Sequence, residues 1–173
     1  MVYYSDDNCI VRNLEKEDIP EIVREEISQG WGSGYEKLMT RIQDEAEGRS
    51  IALVAVYDHK PVGYINVYFK PLGGPFVDKG YPEIVDFSVL EKCRRLGIGA
   101  RLMDVAEEIA FGRSDILYLG VGLHSGYGSA QRMYVKRCYI PDVSGVWFRD
   151  EICKPYTDCR NDDDLVLYLY KKK

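Results

Sequence analysis

The stretch that decides the fold is EIVDFSVLEKCRRLGIGARLMDVAEEIAFG, residues 83–112. Its first eight residues combine β-branched and aromatic side chains, a composition typical of a buried strand. From Ile98 onward, apolar residues recur at helical spacing and predict a long amphipathic helix that faces the core. Between them, Gly97 and Gly99 let a ligand approach the backbone where the helix presents free N–H groups and its positive dipole end. The stretch therefore predicts an anion-binding turn.

The composition bounds the size and class of the protein. The chain has 173 residues, 46% of them hydrophobic, so we expect a single domain over residues 1–173. A net charge of -5 and a pI near 5.2 argue against a nucleic-acid partner and favour cationic substrates such as amines. Neither a signal peptide nor an apolar run near the length of a membrane span is visible. We therefore expect a soluble, cytoplasmic protein without a membrane partner.

Cysteine spacing indicates neither a disulfide framework nor a zinc site. The five cysteines are Cys9, Cys93, Cys138, Cys153 and Cys159. They are odd in number and form no CxxC pair, so we expect reduced thiols and no metal. Cys93 adjoins the turn, but no catalytic histidine is in register with it, and we interpret it as structural.

Periodicity and breaker residues predict a mixed α/β fold. Helices are expected after Asp18, from Tyr35, from Ile98 and from Ala130. The glycine-rich loop between the first two is either a mobile substrate wall or a plain connector. The predicted strands cover residues 9–14, 51–57, 62–70, 83–90, 116–123, 146–152 and 165–170. The order β-α-α-β-β-β-α-β-α-β-β indicates a mixed, mostly antiparallel sheet of six to seven strands with helices on both faces.

Two other anion-binding motifs do not fit the turn. A dinucleotide-binding fold needs a small residue at its sixth motif position, where this chain has Leu102. A Walker loop needs Gly-Lys-Ser or Gly-Lys-Thr after the glycines, where this chain has Ala100 and Arg101.

The turn instead resembles motif A of the GNAT superfamily of acyl-CoA-dependent N-acyltransferases. Arg94-x-x-Gly97-x-Gly99 matches that family's Arg or Gln, x, x, Gly, x, Gly or Ala, and it also follows a strand. Downstream, AQRMYVKRCYI (130–140) is similar to the second motif, Ala-x-x-Leu-Tyr-x-Lys-x-Gly-Phe. Cys138 departs from the usual Gly. The likeness extends to the element order of nearly the whole chain.

The resemblance implies how acetyl-CoA is bound. The backbone amides expected to bind the pyrophosphate belong to Arg95, Leu96, Gly97, Ile98, Gly99 and Ala100, with Arg94 at the turn. A pyrophosphate suits a helix N-terminus physically. A backbone N–H near Val89 would polarise the thioester carbonyl as oxyanion charge develops.

Amine acetylation needs a base for the ammonium proton. Glu83 stands eleven residues before Arg94, the spacing of family members with a catalytic glutamate on this strand, and we prefer it as the base. Strand alternation places Asp86 on the opposite face, so it is the second choice, or an anchor for the substrate ammonium. His124, at a strand end, is an alternative base because its pKa is near neutral.

Tyr134 is the general acid that the resemblance implies, with its phenol near the coenzyme sulfur. The resulting hypothesis is an enzyme that transfers acetyl directly from acetyl-CoA to a primary amine of a small molecule. The alternatives are a protein or peptide N-terminal acetyltransferase and a non-catalytic acyl-CoA-binding sensor. A homodimer stays open.

Overall fold

The computed structural model describes residues 1–71 and 73–173. The helices of this part of the chain are α1 (Ile19–Ser28), α2 (Tyr35–Ala46), α3 (Ile98–Phe111) and α4 (Gly128–Lys136). The strands are β1 (Val2–Ser5), β2 (Cys9–Asn13), β3 (Ser50–Tyr57), β4 (Lys60–Tyr68), β5 (Glu83–Val89), β6 (Ile116–Gly122), β7 (Ile140–Phe148), β8 (Glu151–Ile152) and β9 (Leu165–Lys172). The predicted mixed, mostly antiparallel α/β class is confirmed.

The predicted number of six to seven strands is wrong, because the described residues form nine. β1 was missed because it has four residues and no fully buried side chain. β7 begins at Ile140, earlier than predicted, with left-handed residues at Val143 and Gly145 that conceal its pattern. β8 follows a two-residue turn at Arg149 and Asp150, both with positive φ as a tight hairpin requires.

The first of two compact units contains residues 1–68 and 84–110. Its strands lie in the order β1-β2-β3-β4-β5, and β1 to β4 pair antiparallel. Asp18 precedes α1 and Pro20 stands in its first turn, as the sequence predicted. The apolar side chains of α1 and α2 pack against β3 and β4, with Ile22 and Leu38 at the centre of that core.

The second compact unit contains residues 69–83 and 111–173. Its strands lie in the order β6-β9-β7-β8, all in antiparallel pairs. The largest of its fully buried side chains is Tyr118. The expectation of a single domain stays a prediction. None of the described helices is long and apolar enough to span a membrane.

Candidate active site

The turn after β5 exposes the start of a helix. Arg95 and Gly97 have left-handed backbones, with φ of 65° and 80°. Ile98 is buried and anchors α3, while the residues from Arg94 to Gly97 are exposed. The first N–H groups of a helix have no acceptor inside it, and here the Arg101 N–H bonds the carbonyl of Gly97 at 3.1 Å. A row of backbone donors therefore begins at the surface, as a phosphate group requires.

Gly97 and Gly99 are each required, but for different physical reasons. Gly97 has positive φ, and a Cβ there would lie 2.9 Å from Nη1 of Arg101. Gly99 has an ordinary φ, but its Cβ would lie 3.0 Å from the ring of Phe87. Gly97 thus shapes the turn, whereas Gly99 lets α3 approach β5 closely.

Arg101 braces the turn from α3, a role that the sequence analysis missed. Its Nη1 donates to the carbonyl of Leu96 at 3.1 Å, and its Nε donates to the hydroxyl of Tyr4 at 3.0 Å. Its Nη2 lies 2.8 Å from the carboxylate of Asp6. The hydrogen bond from Tyr4 is the main reason that the pKa of Asp6 falls to about 2. Asp6 therefore stays charged and holds Arg101 in place.

Arg94 lies beside the glycine-rich loop that joins α1 to α2. Its Nε is 3.4 Å from the carbonyl oxygen of Val89, and its guanidinium is 5.7 Å from the centre of the Trp31 ring. Next to it, the Glu91 N–H donates to Oε1 of Gln29 at 3.0 Å. The loop therefore contacts the predicted coenzyme-binding turn directly.

Asp86 interrupts β5 with a left-handed backbone, φ 54°. Nε of Arg41 donates to its carboxylate at 2.6 Å, and the side-chain amide of Asn66 does so at 3.2 Å. Nζ of Lys37 lies 3.9 Å away. Two cations from α2 therefore neutralise this carboxylate. Regular alternation, on which its predicted face was based, does not hold at this residue.

Asp86 belongs to a larger polar layer between α1, α2 and the strands β4 and β5. Its members are Glu26, Lys37, Arg41, Asp44, Tyr64, Asn66, Tyr68 and Asp86. Nη1 of Arg41 donates to the hydroxyl of Tyr68 at 2.6 Å, and this hydroxyl also bonds Asp44. Burial, followed by the bond to Asp44, raises the pKa of Tyr68 to about 12. This polar layer was not predicted from the sequence, in which the one local signal of the layer is the i, i+2 spacing of its three β4 residues.

The layer also contains two buried acceptor atoms without a hydrogen-bond partner among the described residues, Oε2 of Glu26 and Oδ1 of Asn66. Glu26 is 3% exposed, and its other oxygen accepts a bond of 2.7 Å from Tyr64. Water is the ordinary partner of such atoms.

Glu83, the preferred base, is half-buried at the start of β5 in the second unit. The hydroxyl of Tyr118 lies 3.4 Å from its Oε2 and 3.2 Å from the carbonyl oxygen of Gly73. The ring of Tyr118 packs on Phe76 at 4.9 Å. Burial, and then the charge of Glu83, raise the pKa of Tyr118, so its hydroxyl remains a donor. Tyr118 was not predicted as a site residue.

Tyr134, the predicted acid, lies on α4 and is 5% exposed. Its ring is 5.6 Å from that of Tyr139. Burial raises the pKa of Tyr134 and keeps its phenol protonated. Protonation at neutral pH is the state that a general acid needs at the start of the reaction.

His124, the alternative base, has both ring nitrogens engaged. Its Nδ1 accepts a bond of 3.1 Å from the Gly126 N–H, so the proton resides on Nε2, which lies 3.0 Å from Asp163. The bond from His124 is the main cause of the lowered pKa of Asp163. Action as a base would require one of these contacts to break.

Comparison with known proteins gives one family and many related folds. The sequence model of the acetyltransferase (GNAT) family matches residues 16–138. No curated protein matches the sequence significantly.

Three of the similar solved structures share the fold at low identity. Ard1 from Thermoplasma volcanium is 17% identical, with a TM-score of 0.67 over 95% of this chain and 97% of that one. The ribosomal α-N-protein acetyltransferase RimL is 9% identical, with a TM-score of 0.72 over 100% and 94%. An aminoglycoside 6'-N-acetyltransferase complexed with coenzyme A is 18% identical, with a TM-score of 0.63 over 94% and 96%. These likenesses show the fold alone, whereas the family match covers well over half of the sequence. The chain therefore belongs to the GNAT family of acetyltransferases and is an acyltransferase.

Proposed function

We propose that this enzyme transfers an acetyl group from acetyl-CoA directly to a primary amine of a small, cationic molecule in the cytoplasm. The observation that supports acetyl-CoA as the cosubstrate is the exposed start of α3, which follows the left-handed Gly97. Backbone donors and a helix dipole favour a pyrophosphate there. Donors in the stretch from Arg95 to Ala100 bind it, and Arg94 lies beside them.

The chemistry needs four events from this chain. Acetyl-CoA supplies a thioester, whose carbonyl is polarised by the backbone N–H near Val89. Glu83 takes the ammonium proton, directly or through water, and frees the amine lone pair. The amine nitrogen bonds to the carbonyl carbon as the carbon–sulfur bond breaks. Tyr134 gives its proton to the departing thiolate, the surplus proton of the acylated nitrogen passes through solvent to the resulting phenolate, and Glu83 releases the first proton to solvent.

Asp86 has a different role in this proposal. Its charge is already matched by Arg41 at 2.6 Å, and it occupies the strained position of β5. A carboxylate held in this way fixes the backbone shape of the strand. We therefore assign Asp86 as a positioning residue and keep Glu83 as the base.

The proposal of a cationic acceptor is based on the net charge of the protein. The net charge of -5 favours encounter with cationic amines. The fold does not separate acceptor classes, because its known examples include both an aminoglycoside and a ribosomal-protein acetyltransferase.

An acceptor panel tests the proposal. Purified full-length protein is incubated with acetyl-CoA and, separately, polyamines, aminoglycosides, amino acids and short peptides, and release of the coenzyme thiol is measured. We expect turnover with a cationic small molecule and a lower turnover rate in Tyr134→Phe, with unchanged acetyl-CoA affinity. Turnover confined to peptides would support the N-terminal acetyltransferase instead. Coenzyme binding without acetylation of any acceptor would support the sensor.

A further inference from the structure

Two cysteines of the second unit lie side by side beyond β8. The sulfur atoms of Cys153 and Cys159 are 2.8 Å apart, and both residues are free thiols. Cys159 is exposed and Cys153 is half-buried. The sequence did not indicate this pair, because the two cysteines are six positions apart and neither belongs to a CxxC motif.

The backbone builds this proximity. The Cys153 N–H donates to the carbonyl of Val146 at 2.8 Å and so fixes Cys153 against β7. A turn follows, in which Oγ1 of Thr157 donates to the carbonyl of Lys154 at 2.7 Å. Tyr156 has a left-handed backbone within that turn, φ 65°. The chain therefore reverses between the two cysteines and returns the second to the first.

We propose that Cys153 and Cys159 form a redox modification site, which closes to an intramolecular disulfide by exchange with a low-molecular-weight disulfide such as glutathione disulfide. The proposal does not rest on the acceptor or on the acetyl-transfer residues. A preformed pair of neighbouring thiols favours closure over a lasting mixed disulfide, because the second thiol is already in place to attack.

The exchange balances in two steps. The thiolate of Cys159, the more exposed sulfur, attacks one sulfur of glutathione disulfide, and one glutathione thiolate leaves. The thiolate of Cys153 then attacks the Cys159 sulfur of the mixed disulfide, and the second glutathione thiolate leaves. Two protein thiols are oxidised and one disulfide is reduced to two thiols, while the protein's two protons pass to solvent or to the leaving thiolates. The bond to Cys159 raises the pKa of Cys153, which fits Cys153 as the second thiol to react.

The test uses the full-length protein and mass spectrometry. The reduced protein is incubated with glutathione disulfide, alkylated under denaturing conditions and digested. We expect loss of alkylation at both Cys153 and Cys159, a cross-link between them without bound glutathione, and complete reversal by dithiothreitol. Cys138→Ser, which removes another exposed thiol, should leave the cross-link unchanged.

Single variants identify the second step. In Cys153→Ser, the glutathione adduct on Cys159 should persist, because the resolving thiol is gone. Two results would overturn the proposal: a lasting glutathione adduct on Cys159 in the wild-type protein, or full alkylation of both cysteines under conditions that glutathionylate Cys138. The fraction of folded protein is followed by circular dichroism, so that unfolding is not mistaken for thiol exposure.

Discussion

Glu83 and Asp86 are two carboxylates three residues apart on β5, and their surroundings differ. Asp86 is held by Arg41 and Asn66 within the polar layer of the first unit. Glu83 contacts the hydroxyl of Tyr118 in the second unit. The ion pair neutralises the carboxylate of Asp86, and the hydroxyl of Tyr118 lies where it can donate to the carboxylate of Glu83 and orient it. The comparison therefore fits the proposal that Asp86 positions the strand and that Glu83 takes the proton.

Removing Glu83, the proposed proton acceptor, should have the largest effect on turnover. Glu83→Gln keeps the side-chain size but cannot take a proton, so we expect kcat to fall at least on the order of 100-fold with coenzyme affinity unchanged. Steady-state kinetics with the acceptor found in the panel measures this. Glu108→Gln, at an exposed position of α3, is the matched control. A larger loss of kcat in Asp86→Asn than in Glu83→Gln would reverse the two assignments.

Breaking the ion pair between Arg41 and Asp86 should lower the stability of the folded protein. Arg41→Gln leaves the carboxylate of Asp86 without its closest cation, and the two side chains are only 22% and 17% exposed. We expect the free energy of unfolding to fall by roughly 2–4 kcal/mol, below the cost for a fully buried pair. Urea denaturation measures it.

Arg24→Gln is the control for that experiment, because Arg24 is 66% exposed in its pair with Glu21. Its effect should stay within about 1 kcal/mol. Equal losses in the two variants would show that the Arg41 pair contributes no more than a surface contact.

The sequence predicted the features of the fold and of the candidate site that depend on a few neighbouring residues. Pro20 and the glycines before Tyr35 marked the starts of α1 and α2. Gly97 lies between β5 and α3 as expected, and Gly99 is the second residue of α3. These features depend on backbone preferences over a few residues, which a sequence states directly.

The polar layer could not be read in the same way. Arg41 and Asp86 are 45 residues apart, and periodicity gives the face of a helix but not the partner of a side chain. Aspartate tolerates a left-handed backbone, yet nothing in EIVDFSVL marks Asp86 as the residue that adopts it. The contacts of Glu83 with Tyr118 likewise join segments 35 residues apart.

Tyr118→Phe tests the contact between the Tyr118 hydroxyl and the carboxylate of Glu83. The variant keeps the ring that packs on Phe76 but removes the donor beside Glu83. We expect kcat to fall by about 3- to 10-fold, and the acid limb of the pH profile of kcat/KM to move to higher pH, because a donor favours the charged carboxylate. A lower melting temperature with an unmoved acid limb would reduce Tyr118 to a packing residue.

The smallest predicted effect is the contribution of Tyr68, in the polar layer, to the pH dependence of the free energy of unfolding. The pKa of Tyr68 is about 12 in the folded protein, above its ordinary value of 10.0, because of burial and the bond to Asp44. Between those two values the unfolded chain has lost the proton that the folded chain retains, so the free energy of unfolding must fall as pH rises from 10 toward 12. Below pH 10 this contribution is fully present. Urea denaturation at pH 9, 10 and 11 should show a steeper decline in the wild type than in Tyr68→Phe. Equal slopes would mean that Tyr68 titrates alike in both states, and that the layer holds Asp86 through its cations without help from this phenol.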